Sequence, residues 1–91
     1  MWKVRVPKKV DKNLKRLSPL IQRAFEALAA DLKSKGPVAG NWPNYGKLDD
    51  NRHHCHLKKG KPTYVSVWWE VRQEKQTIEV TYVGTHENAP Y

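Results

Sequence analysis

The stretch SPLIQRAFEALAADLKSKGP, residues 18–37, is closed at both ends and amphipathic between them, and it constrains what the rest of the chain can be. Ser18 is a favoured N-cap, and Pro19 at the first helical position gives up no hydrogen bond that the helix would make. Gly36-Pro37 ends the helix with a residue free to take positive φ and one that cannot continue. Between these caps Ile21, Phe25, Leu28 and Leu32 recur at the helical period, with Ala24 beside them. Upstream, DKNLKRL (residues 11–17) puts Asp11 where a helix start favours an acid and sets Leu14 and Leu17 on one face. The expectation is a short basic helix and a long one, forming a hairpin whose apolar stripe lies on a sheet.

That sheet is visible in the remaining segments. WKVRV (residues 2–6) alternates Trp2, Val4 and Val6 with Lys3 and Arg5, as a half-buried strand does, and Pro7 ends it. In the C-terminal half HHCHL, TYVSVWWEV and TIEVTYV are separated by KKGKP and RQEKQ, short connectors of the kind that join antiparallel hairpins. Residues 37–50, rich in Gly, Pro and Asn, are expected to be a loop pinned by Trp42 and Tyr45. The predicted architecture is α+β: an N-terminal strand, a helical hairpin, then a three-stranded antiparallel meander, with the helices on one face. A chain of 91 residues has one modest core, so residues 1–91 are expected to form a single domain.

Seventeen Lys and Arg against nine Asp and Glu give a net charge of +8. Such an excess favours a polyanionic partner, nucleic acid or an acidic protein. No apolar run approaches the ~20 residues of a membrane span, and the N-terminus lacks the apolar centre of a signal peptide. A cytoplasmic protein with no membrane partner is expected. One cysteine, Cys55, makes neither an internal disulfide nor a Cys-x-x-Cys pair, and it is expected to be a small buried hydrophobe.

Chemistry concentrates at His53, His54, Cys55 and His56. Alternation along a strand sends Cys55 and Leu57 to one face and His54, His56 and Lys58 to the other, so the four cannot converge on one zinc ion. His53 is expected to be structural. A metal held by His54, His56 and His86 has no carboxylate or cysteine at a ligand-like spacing to complete it, so no metal and no cofactor are expected. On the next strand the same alternation assigns Val65, Val67, Trp69 and Val71 to the apolar face and Tyr64, Ser66, Trp68, Glu70 and Arg72 to the opposite one. The surface expected from this is one for a phosphate backbone, with Lys3, Arg5, Lys58, Lys59 and Lys61 as cations and Tyr64 and Trp68 as stacking planes.

Element order, length and basic charge, together with HCHLKKGKPTYVSVWWEV and the C-terminal IEVTYVGTHENAPY, resemble the RelE/ParE superfamily of toxins from type II toxin-antitoxin systems, within the subgroup described as cytotoxic translational repressors. The resemblance implies two helices on a twisted antiparallel sheet, and a toxin that enters the ribosomal decoding site and cleaves messenger RNA without a metal. It also implies a cognate acidic antitoxin that silences the toxin by wrapping its basic surface. RNA cleavage of this kind needs a base for the 2′-hydroxyl, cations for the pentacoordinate phosphate and an acid for the 5′-oxygen. On that reading His86 is the first candidate acid or base, with His54 and His56 next. Lys58, Lys61 and Arg72 are candidate phosphate ligands, and Tyr91 matches the family's C-terminal aromatic, which stacks or donates a proton. The tail GTHENAPY has His86 and Glu87 where family nucleases often carry an arginine. Strict alternation sends His86 to the face of Val80 and Tyr82 unless Gly84 ends or bulges the strand. The alternative is a nonenzymatic member of the same fold, directed at gyrase or catalytically degenerate.

Overall fold

The computed structural model describes residues 1–91. Its elements are β1 (Lys3–Arg5), α1 (Lys8–Leu14), α2 (Pro19–Lys35), β2 (Gly46–Lys47), β3 (Arg52–Lys58), β4 (Tyr64–Glu70), β5 (Thr77–Thr85) and a 3₁₀ turn, His86–Asn88. The strands form one sheet in the order β1-β5-β4-β3-β2. β3, β4 and β5 make the expected antiparallel meander, and β1 joins it parallel to β5. No helix is long and apolar enough to cross a membrane.

Both predicted caps of α2 are present. Ser18 Oγ accepts from the Ile21 N–H at 3.5 Å, and Gly36, at φ 95°, donates its N–H to Leu32 O at 2.9 Å. A Cβ on Gly36 would lie 3.0 Å from the Trp2 ring, so glycine serves here both the backbone and the packing of β1 on the helix. Ile21, Phe25, Leu28 and Leu32 are all buried, as the stripe predicts. α1 departs from expectation. It starts at Lys8, directly after Pro7, so Asp11 lies inside the helix and pairs with Lys15 at 3.2 Å rather than capping the N-terminus. Proline's fixed φ pre-forms the entry to the helix, and this outweighs the preference for an acidic cap.

The predicted loop contains the two-residue strand β2, paired with β3. Trp42 and Tyr45 pin the loop as expected. Trp42 Nε1 donates to Asp31 Oδ2 on α2 at 2.8 Å, and the Tyr45 hydroxyl meets His53 Nδ1 at 2.7 Å. His53 is buried and packs with Tyr45 and Trp68 in a cluster of three mutually contacting rings, a structural role. Cys55 is fully buried, and burial pushes its thiol up to about 12, which makes it an inert hydrophobe.

Register overturns the predicted faces of β4. Cys55 stands opposite Ser66 and Val83, and His53 opposite Trp68 and Val80. These residues face the helices: Cys55, Trp68, Ile78, Val80 and Val83 share one core with Leu14, Phe25, Leu28 and Leu32. Val65, Val67 and Trp69, expected beneath the helices, lie on the other side. Alternation misleads because β4 is covered on both faces; Ser66, Trp68, Val65 and Val67 are all at most 1% exposed. A strand buried twice carries no inside–outside contrast.

Candidate active site

The sheet face away from the helices carries three rows of directly opposed side chains. His56, Val65 and Gly84 form the first row, His54, Val67 and Tyr82 the second, and Arg52, Trp69 and Glu79 the third. Two bulges set this pattern. One at Thr81 of β5 restores Val83 to the core and turns Tyr82 outward; another at Leu57 of β3 sets Lys58 opposite Tyr64, breaking its alignment with the histidines.

Rings close over Val65 and Val67. Tyr82 folds back across Gly84, where a Cβ would come within 2.6 Å of its hydroxyl, and donates that hydroxyl to Thr85 O at 2.7 Å. Gly46 admits the His54 ring in the same way, with its Cβ position 3.1 Å from His54 Nε2. β5 then ends in the 3₁₀ turn, and His86 N donates to Thr63 O at 2.8 Å, tying the tail to the β3–β4 hairpin. The turn carries His86 to the face of the other histidines. Its ring centroid lies 5.7 Å from His56 and 6.0 Å from Tyr91, and Tyr91 lies 4.9 Å from His54. Thus His54, His56, His86 and Tyr91, 37 residues apart from first to last, form one cluster.

Its electrostatics favour neutral rings. Burial, reinforced by the charge of His86, holds His54 below the usual histidine range; burial, then His86, His54 and Lys59, does the same to His56. Burial, with smaller contributions from Tyr82 and Cys55, raises the Tyr91 phenol, so it keeps its proton. His54 Nδ1 is buried without a partner. The Asn44 side-chain amide reaches His56 Nδ1 at 3.2 Å and helps to fix the ring. The arrangement supplies basic imidazole nitrogens and a protonated phenol within one patch. No three of its His, Cys, Asp or Glu residues converge as metal ligands.

A cleft of about 700 Å³ lined by Gly60, Lys61, Pro62, Thr63, Thr85, His86 and Glu87 adjoins this cluster and puts a lysine beside His86. Lys58 and Lys59 are exposed on the same hairpin. The other expected contacts are distributed differently. Trp68 is fully buried, its Nε1 donating to Pro37 O at 2.9 Å, so it offers no stacking surface. Tyr64 falls on the helix-side parity of β4, away from the histidines. Lys3 is exposed on β1, while Arg5 is engaged by Glu79 at 2.7 Å and Glu74 at 3.1 Å. Arg72 lies beyond the opposite end of β4, 3.9 Å from Asp50. A separate opening of about 500 Å³ between α1 and β5 brings Lys9, Lys12 and Arg16 beside Tyr82.

Sequence reasoning missed Tyr82, Asn44, Arg52 and Trp69. Gly84, two positions after Tyr82 in a strand, is the one local signal of a close approach; the rest depend on register.

No protein-family model matches the sequence, and no curated protein does. Solved structures do match in fold. The free Escherichia coli toxin RelE, in a form with two arginines replaced by alanine, is 15% identical with a TM-score of 0.70, covering 97% of this chain and 86% of its own. The YoeB dimer of Staphylococcus aureus is 10% identical with a TM-score of 0.70, covering 93% of this chain and 97% of its own. The archaeal RelE in the RelE-RelB complex of Pyrococcus horikoshii OT3 is 15% identical with a TM-score of 0.62, covering 97% and 98%. Identity this low speaks to architecture alone, and on that evidence the chain has the fold of the RelE-like toxin superfamily.

Proposed function

We propose that this protein is the toxin of a type II toxin-antitoxin pair, a metal-independent endoribonuclease that cleaves messenger RNA on the ribosome. The observation that carries the reading is the convergence of His56, His86, His54 and Tyr91 beside the lysine-bearing cleft. His56, held neutral, takes the proton of the 2′-hydroxyl. The resulting alkoxide attacks the adjacent phosphorus, Lys61 balances the charge of the pentacoordinate phosphate, and His86 delivers a proton to the departing 5′-oxygen. Tyr91, over His54, orients the flanking base.

The net charge of +8 and the fold shared with a RelE that is found in a RelE-RelB complex support an acidic antitoxin as partner. The test is induction in bacteria of the wild type beside His86→Ala, following growth and mapping messenger RNA ends by primer extension. Growth arrest with new cuts in translated messages is expected from the wild type, with cleavage reduced ~10²–10⁴-fold in the variant. Arrest without cuts would overturn the nuclease reading in favour of a gyrase-directed or purely ribosome-blocking toxin.

A further inference from the structure

The third row of the outer face is unused by this mechanism. Trp69 lies there half-buried in the centre of the sheet, with Arg52 opposite it on β3 and Glu79 opposite it on β5. Its indole N–H has no partner in the chain and is not sealed from solvent, unlike Trp42 and Trp68, whose indoles are hydrogen-bonded. Arg52 is fixed at its root, Nε donating to Asp49 Oδ2 at 2.7 Å, while its terminal Nη groups have no partner. The charge of Glu79 is met by Arg5, whose Nε and Nη2 both engage Glu79 Oε1 at 2.9 and 2.7 Å. The row is therefore a planar ring between a guanidinium with free donors and a compensated carboxylate.

Successive residues on one face of a strand are separated by ~6.7 Å, so Trp69 lies about 13 Å along the sheet from the His56 row, with the His54 row between. A single strand running across the rows would meet them one after another. We infer that Trp69 and Arg52 form a second nucleotide subsite, in which Trp69 stacks a base flanking the cleaved bond and Arg52 donates to its sugar-phosphate. The inference rests on the RNA-cleavage reading and adds to it the residues that grip the message away from the cut. Aromatic rings suit this because every base has a face to stack, and a guanidinium fits phosphate oxygens.

The experiment is cleavage of a short messenger RNA on programmed bacterial ribosomes, in single turnover over a range of protein concentrations. Wild type, Trp69→Ala, Trp69→Phe and Arg52→Gln are compared, each first shown by thermal melting to be folded. An abasic residue is walked through the nucleotides flanking the cut. Stacking of one base corresponds to ~5–150-fold in affinity, so Trp69→Ala should raise the half-saturating concentration by that order, with Trp69→Phe restoring most of it. With the abasic residue at one flanking position, wild type and Trp69→Ala should become equal. Arg52→Gln should raise the half-saturating concentration and weaken its salt dependence. Wild-type cleavage with Trp69→Ala unchanged, or impaired equally on intact and abasic messages at every position, would overturn the subsite alone. A wild type that cuts no message would overturn the cleavage reading and the subsite with it.

Discussion

Trp68 and Trp69 are adjacent in sequence and lie on opposite faces of one strand, and the contrast between them describes the molecule. Trp68 is enclosed by the helices, stacked on His53, with its indole N–H hydrogen-bonded to Pro37 O. Every demand its side chain makes is met inside the chain. Trp69 shares its face with His54, His56 and Tyr82, where His54 Nδ1 is unpartnered and the Nη groups of Arg52 are free. A β-sheet with helices on one side divides labour in this way. The covered face supplies stability, with His53 Nε2 as its one buried unpartnered side-chain atom, and the other face adds accessible rings and free guanidinium donors.

This division can be broken most directly by stability measurements on the two tryptophans. Trp68→Ala should cost ~3–5 kcal/mol in urea unfolding, because it leaves a large cavity and an unpaired Pro37 carbonyl. Trp69→Ala should cost about 1 kcal/mol. Equal losses would mean that the two faces do not differ as described.

Gly84→Ala sharpens the account of the outer face. The new methyl would meet the Tyr82 hydroxyl, so the ring must leave its place over Gly84 and give up the bond to Thr85 O. A loss of ~1–3 kcal/mol is expected, read as a lowered melting temperature. An unchanged melting temperature would show that Tyr82 does not lie across Gly84.

The smallest effect concerns the histidines of both faces. His53 inside, and His54 and His56 outside, are all held below the ordinary value of 6.5, in each case chiefly by burial. The unfolded chain therefore binds more protons than the folded one once the pH drops below that value. Stability should be full above it and fall with decreasing pH until the folded-state histidines themselves protonate. Melting temperatures between neutral pH and about pH 5 should show this slope, flattened more by His53→Asn than by His56→Asn because His53 is the more deeply buried ring. A slope untouched by His53→Asn would place the proton uptake on other groups.

Much of the fold was legible because local chemistry dictates it. The caps at Ser18-Pro19 and Gly36-Pro37, the stripe of α2, the hairpin connectors and the pinning roles of Trp42 and Tyr45 depend on neighbours in sequence or on one apolar surface. The site was legible only as a list of reactive side chains. Choosing among them required register, and register here is set by bulges at Thr81 and Leu57 in strands without a clean alternation. A bulge shifts every later residue of its strand to the other face, which moves Lys58 away from the histidines and Tyr82 toward them. Tyr64, Trp68 and Trp69 depart from expectation because β4 is covered on both faces and its alternation does not say which side meets the helices.

The sequence by itself determined the α+β order, the extent of α2, the cationic character and the inert burial of Cys55, since each follows from composition or from a period a few residues long. Tertiary structure alone decided that β1 pairs parallel to β5, that His86 and Tyr91 return to His56 and His54, and which tryptophan faces outward. Those outcomes depend on contacts between residues far apart in the chain and on the one-residue shifts that bulges introduce, and no local pattern records either.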